Sequence, residues 1–177
     1  RRGFLKAVGG TVAAVSATST RAGAQPPAAA RVAGLTAPKL DVVRWGLVGV
    51  GERGLMHAEA LLKIEGCAIT AICDPWAPAL EKALATVTSA GRPRPAAFGD
   101  GQQDYLRLVD RADVDAVILS TPWEQHVVQA VAAMRAGKHV FIEVPAAVTL
   151  DECWQLVDTA EATRTCLREA AATVAPS

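Results

Sequence analysis

The sequence has no C-x-x-C pair and no histidine cluster. Its four cysteines (Cys67, Cys73, Cys153 and Cys166) and three histidines are scattered, so no metal site is expected. Cys67 and Cys73 fall at opposite ends of one predicted strand and cannot bridge. All four cysteines are therefore expected as buried free thiols. Charge of one sign is missing too: 18 basic residues balance 18 acidic ones. Without a charge block, neither a nucleic-acid nor a membrane-surface partner is expected. The apolar stretch nearest the N-terminus, Ala7 to Ala17, is too short and too weakly apolar to span a bilayer. There is no internal repeat and no initiator methionine.

What is present starts with Arg1-Arg2-Gly3-Phe4-Leu5-Lys6. This looks like a twin-arginine export signal, and Ala22-Gly23-Ala24 offers the small residues of a cleavage site. Residues 1–24 are thus read as a signal whose first residues precede Arg1, and the protein as periplasmic or secreted. Four basic residues and no acid lie in that segment, so removing it leaves a net charge of −4. Residues 25–41, rich in proline and alanine, are read as a linker. Residues 42–166 are expected to form one domain with one core, and 167–177 a divergent tail. The twin-arginine route resembles one that exports proteins already folded in the reducing cytoplasm. That suits free thiols, and it suits a protein loaded with a cytoplasmic cofactor.

Apolar runs alternate with helical patterns. Strands are expected at 43–48, 68–73, 95–98, 115–120 and 138–143. Helices are expected at 53–65, 76–90, 102–110, 123–136 and 150–165. Runs such as Ala116-Val117-Ile118-Leu119 are apolar throughout, as in a parallel sheet covered on both faces. Thr121-Pro122-Trp123-Glu124 and Thr149-Leu150-Asp151-Glu152 carry capping-box spacing, and Gly137 is placed to stop a helix. The pattern predicts an α/β doubly wound (Rossmann) sheet, whose ligands bind beyond the carboxyl ends of the strands.

Gly49-Val50-Gly51-Glu52-Arg53-Gly54 follows the first strand, and Asp74 ends the second. A G-x-G-x-x-G at a strand-to-helix junction, with an acid about 20 residues on, is a dinucleotide fingerprint. Gly49 permits the tight turn, Gly51 lets a pyrophosphate approach the backbone, and Gly54 lets helix and strand pack closely. The phosphates would meet unpaired N–H groups at the helix N-terminus. Asp74 would accept from the adenosine ribose hydroxyls and repel a 2′-phosphate, which favours NAD over NADP. Asp74 is also placed to cap a helix starting at Pro75.

Two further clusters fall at strand ends. Ser120-Thr121-Pro122-Trp123-Glu124-Gln125-His126 follows the fourth main strand. Its backbone would pass beneath the nicotinamide ribose, with Trp123 on the cofactor. Helix capping, a core-facing Trp123 and a structural His126 are the plainer alternatives. Glu143-Val144-Pro145 closes the next strand.

Together with Ile72-Cys73-Asp74 and Ala136-Gly137-Lys138-His139-Val140, these segments resemble the N-terminal domain of the glucose–fructose oxidoreductase, inositol dehydrogenase and MocA-type family. The resemblance covers about residues 43–166. Many dehydrogenases of that family carry Glu-Lys-Pro, whose lysine serves hydride transfer. Here Val144 stands in its place and cannot move a proton. Thr121 to His126, Glu143 to Ala147 and Glu152 to Glu161 look more like the NAD-dependent glycoside hydrolases of family 109, the α-N-acetylgalactosaminidases. A second aromatic is usual there where Gln125 stands.

The resemblance implies an unusual hydrolysis. Hydride leaves C3 of the sugar for NAD, the ketone acidifies the C2 proton, and loss of that proton expels the group on C1. Water adds, and the hydride returns. Carried over, Gly49, Gly51, Arg53, Gly54, Asp74, Thr121, Trp123, Glu124, Gln125, His126, Glu143 and Val144 would contact NAD. The partner would be a small carbohydrate, and a homo-oligomer is an open reading. No catalytic base is identified, because the family keeps its acid–base residues mainly in a second, C-terminal domain. The resemblance stops near Cys166, so the chain by itself is expected to bind NAD weakly and to turn nothing over. A simple NAD-dependent sugar dehydrogenase and an exported, non-catalytic nucleotide-binding module are the alternatives.

Overall fold

In the computed structural model, residues 39–169 are described. The signal and linker readings for residues 1–38 lie outside them, as do residues 170–177. Eleven elements alternate: β1 (Val43–Val48), α1 (Glu52–Leu61), β2 (Cys67–Cys73), α2 (Ala77–Ser89), β3 (Ala96–Phe98), α3 (Tyr105–Val109), β4 (Ala116–Leu119), α4 (Trp123–Arg135), β5 (His139–Ile142), α5 (Leu150–Thr163) and β6 (Leu167–Glu169).

The six strands form one parallel sheet in the order β3-β2-β1-β4-β5-β6. This is the doubly wound order, and it reverses direction between β1 and β4. Alternation along β1 explains the two layers. Trp45 and Leu47 join Ile69, Ile72, Leu84 and Val87 beneath α1 and α2. Val48 joins Cys73, Leu108, Val117, Met134 and Ile142 beneath α3, α4 and α5. Both faces are covered, as the unbroken apolar strands require.

Several boundaries differ from the sequence reading. Helix α1 ends at Leu61, because the chain tightens there into i→i+3 turns: Lys63 N–H donates to Ala60 O and Ile64 N–H to Leu61 O. Helix α2 begins at Ala77 rather than Pro75, and α3 begins at Tyr105 after a turn over 102–104. The expected tail contributes a strand: Leu167–Glu169 pairs in parallel with Val140–Ile142 and extends the sheet beyond residue 166.

The capping expectations divide. Thr149 accepts from Glu152 N–H, and Glu152 accepts from Thr149 N–H, a complete capping box. Thr121 caps nothing. Helix α4 takes Pro122 as its N-cap with no side-chain bond, because the Thr121 hydroxyl donates instead to Gln129 Oε1 at 2.7 Å. Past the end of α4, Gly137 N–H donates to Met134 O and Lys138 N–H to Ala133 O, closing the helix as Gly137 suggested. The cysteines are all free, but only Cys73 is buried and Cys153 is exposed.

Candidate cofactor site

The crevice opens where the sheet order reverses. Val48, Gly49, Gly51, Asp74, Ser120 and Thr121 are among the residues lining a cleft of about 290 Å³ there. Larger hollows lie at the opposite end of the strands, lined by residues such as Thr70, Arg94 and Asp113 or Asp115, Lys138 and His139. The chemistry-bearing residues converge on the smaller cleft, at the carboxyl ends where ligands of such sheets bind.

Each glycine of the loop is explained by its neighbours. Gly49 has φ of +80°, and a Cβ there would lie 2.7 Å from Ser120 O. A Cβ on Gly54 would lie 2.0 Å from Gly49 O, so helix α1 approaches the loop as closely as backbone allows. A Cβ on Gly51 would meet nothing within 4 Å. That glycine is therefore not required by the fold; it leaves open the space beside the α1 N-terminus. Ser120 Oγ, on the far wall, is buried without a hydrogen-bond partner. An open cradle at a helix N-terminus, faced by an unpaired hydroxyl, fits a dinucleotide diphosphate.

Asp74 holds one end of the cleft together. Its carboxylate accepts from Val50 N–H on one oxygen and from Trp76 N–H on the other, both at 2.8 Å. It thus ties the glycine loop to the start of α2, and each oxygen keeps lone pairs for a ribose hydroxyl. The neighbouring Cys73 thiol is pushed up to about 12 by burial, helped by the nearby charges of Asp104 and Asp74. It stays a thiol at neutral pH and is no nucleophile.

A second cluster, beyond β4 and β5, is assembled from three elements. Glu143, beyond β5, is only 10% exposed at its side chain. Its Oε1 accepts from Arg53 at 3.0 Å and lies 2.5 Å from His57 Nε2. Two residues one turn apart on α1 thereby reach past the end of β4 to hold one carboxylate. Trp123 stands 59% exposed rather than in the core, Glu124 is exposed, and Gln125 borders the cleft. Val144 is half exposed.

His126 takes the structural alternative. It is fully buried, with Nδ1 2.9 Å from Pro145 O and Nε2 2.9 Å from Thr121 O. The ring is wedged between two backbone carbonyls on neighbouring loops. It pins the loop after β4 to the loop after β5. His57, Gln102 and Gln129 are additions to the sequence reading. The one signal for His57 was its place one turn after Arg53; Gln102 and Gln129 carried none.

Comparison with known proteins agrees with this geometry. The oxidoreductase family described as having an NAD-binding Rossmann fold matches residues 43–170. A glycosyl hydrolase family 109 protein of Shewanella baltica is 46% identical over 93% of this chain. An alpha-N-acetylgalactosaminidase of Shewanella oneidensis is 43% identical over the same share. The chain spans 37% of the length of each. Among solved structures, the WlbA dehydrogenase from Chromobacterium violaceum, in complex with NADH and UDP-GlcNAcA, is 28% identical. It superposes with a TM-score of 0.63 over 75% of this chain and 36% of its own. The scyllo-inositol dehydrogenase from Lactobacillus casei with bound NAD(H) and scyllo-inositol is 25% identical, with a TM-score of 0.63, over 73% of this chain and 36% of its own. The chain belongs to the glucose–fructose oxidoreductase, inositol dehydrogenase and MocA-type oxidoreductase family, and residues 43–170 are its NAD-binding Rossmann domain.

Proposed function

We propose that this domain serves an NAD-dependent glycosidase of the α-N-acetylgalactosaminidase type. The carrying observation is the 43% identity to an alpha-N-acetylgalactosaminidase along almost the whole chain. Val144 supports it: the position beside Glu143 offers no proton carrier for simple alcohol oxidation. NAD, when bound, supplies a reversible hydride acceptor for a sugar carbon. The chain's own residues hold and orient it. Gly51 and the α1 N-terminus take the diphosphate, Asp74 takes the adenosine ribose, and the Ser120–Trp123 turn supports the nicotinamide side. Arg53 and His57 fix Glu143 at the end where the sugar would approach.

We further propose export by the twin-arginine route, on Arg1-Arg2 and Ala22-Gly23-Ala24, which places the activity outside the cytoplasm. The NAD-binding domain by itself is expected to bind NAD and release no sugar. The reading is tested on the full-length Shewanella relatives and on this chain with an aryl α-N-acetylgalactosaminide and NAD in D₂O. A released sugar carrying deuterium at C2, with no net NADH, is the expected result for the relatives. Steady NADH formation from free sugar without cleavage would favour the second reading, a sugar dehydrogenase, which the likeness to the two solved dehydrogenases supports. Sugar release by this chain alone would contradict the division of labour.

A further inference from the structure

Two features away from the crevice are unexplained by the fold. The first is on α5. Leu150, Trp154 and Val157 stand 71%, 60% and 42% exposed along one side of that helix, spaced i, i+4 and i+7. Large apolar side chains in a row gain from being covered, and none of the described residues covers these. Asp151 and Asp158, themselves at i and i+7, flank the stripe, and Glu161 continues it. From Leu150 to Thr163 the helix carries no basic residue.

The second is the hollow of about 510 Å³ at the amino ends of β2 and β3. Leu61, Leu62 and Ile69 give it an apolar wall, and Arg92, Arg94 and Arg111 stand around it. Arg111 is matched by two bonds to Asp113. Arg94 reaches Glu81 at 3.3 Å with both side chains in solvent, a contact worth little. Arg92 has no acid partner among the described residues. Pro93 and Pro95 stiffen the backbone that presents Arg92 and Arg94.

The stripe is apolar with acids beside it, and the hollow is apolar with bases around it. They sit at opposite edges of the sheet: α5 connects β5 to β6, and the hollow lies at β2 and β3. One copy therefore cannot join its own two patches. Stripe against stripe would bring the acids of two copies together, which disfavours a symmetric pairing. We propose that α5 of one copy of this chain docks in the Arg92–Arg94 hollow of a second copy. Leu150 and Trp154 fill its apolar part, and Asp151 and Asp158 meet the two arginines. Contact between two different patches is head-to-tail, so it runs on from copy to copy unless the rotation closes a ring. The pairing is independent of the cofactor and of the reaction the protein serves.

The test is sedimentation of the purified 177-residue protein and of two variants, each lacking one patch. The wild type should associate as its concentration rises. High salt, which screens exposed charges, should weaken that association about tenfold or more. Trp154→Lys alone, and Arg92→Glu with Arg94→Glu alone, should each stay monomeric. Mixed, the two should form a one-to-one dimer and nothing larger, because the intact stripe of one meets the intact hollow of the other. All three positions are exposed, so both variants should melt with the wild type. A wild type that stays monomeric, association indifferent to salt, self-association that survives in the arginine variant, or variants that do not combine on mixing would each overturn the proposal.

Discussion

On the β1–β2–β3 side of the crevice, one carboxylate, Asp74, ties the backbone of two loops together; on the β4–β5–β6 side, a stripe of large apolar side chains along α5 stands in solvent. Asp74 satisfies Val50 and Trp76, and Asp74 N–H is itself taken by Phe98 O. Around the nicotinamide end, Trp123, Val144, Val148, Leu150 and Trp154 are between 49% and 71% exposed. Leu150, Trp154 and Val157 fall at i, i+4 and i+7 on α5, so they make a stripe rather than a scatter. The opposite face of α5 packs on α4 through Leu156 and Ala160. The contrast is between a network centred on one carboxylate and an uncovered apolar stripe. The nicotinamide half presents surface of the kind other protein usually covers.

The largest effect should come from the loop between the two sides. Gly54→Ala drives a Cβ onto the Gly49 carbonyl and should cost about 3 kcal/mol or more of folding stability in urea. Gly51→Ala should cost less than about 1 kcal/mol, since its Cβ meets nothing. It should nevertheless abolish NAD binding by calorimetry, because the methyl group takes the space left for the diphosphate. Equal destabilisation by the two variants would break this account of the loop.

The next pair separates the sides. Asp74→Ala leaves two backbone N–H groups without a partner and should cost about 2–3 kcal/mol. It should weaken AMP more than nicotinamide mononucleotide. His126→Ala opens a cavity and frees the Thr121 and Pro145 carbonyls, at about 2–3 kcal/mol. It should loosen the nicotinamide side and leave AMP affinity unchanged. If both variants weaken AMP equally, the two sides are not independent.

Surface changes should matter less. Trp154→Glu should shift stability by no more than about 0.5 kcal/mol while raising solubility, measured by light scattering against concentration. Loss of folding in that variant would mean the stripe is core.

The smallest effect is in the pH dependence, and it lies away from the crevice. Hydrogen bonds from Arg44 hold Asp115 below the usual carboxylate range, against the opposing push of burial. Arg111 does the same for Asp113. With folded values depressed, their contribution is complete above the ordinary value of about 3.9 and is lost as pH falls through the folded values. Urea midpoints should therefore hold from neutral pH to about 5 and drop below 4. Asp115→Asn should flatten that drop.

What was legible in the sequence was set by residue type. Gly49 and Gly54 admit no side chain where they stand, and Asp74 ends a strand, so loop, crevice and cofactor could be read directly. The sheet followed from unbroken apolar runs. What was illegible depended on partners far along the chain. His57 gains its meaning from Glu143, 86 residues away. Thr121 looked like a cap until Gln129 claimed its hydroxyl. Strand β6 is three residues long and holds its place by backbone pairing to β5, which Leu167-Arg168-Glu169 does not advertise. His126 carried both readings, and its burial between two carbonyls favours the structural one.

If Asp74 and the glycine loop carry recognition, this chain holds NAD by its adenosine half. Calorimetric titration of the purified 177-residue protein with NAD, AMP and nicotinamide mononucleotide tests it most directly. Saturable NAD binding, displaced by AMP, is expected, with the nicotinamide mononucleotide weaker than AMP by about tenfold or more, a difference of about 1.4 kcal/mol. Absence of NAD saturation at millimolar concentration, or nicotinamide mononucleotide binding as tightly as AMP, would contradict it.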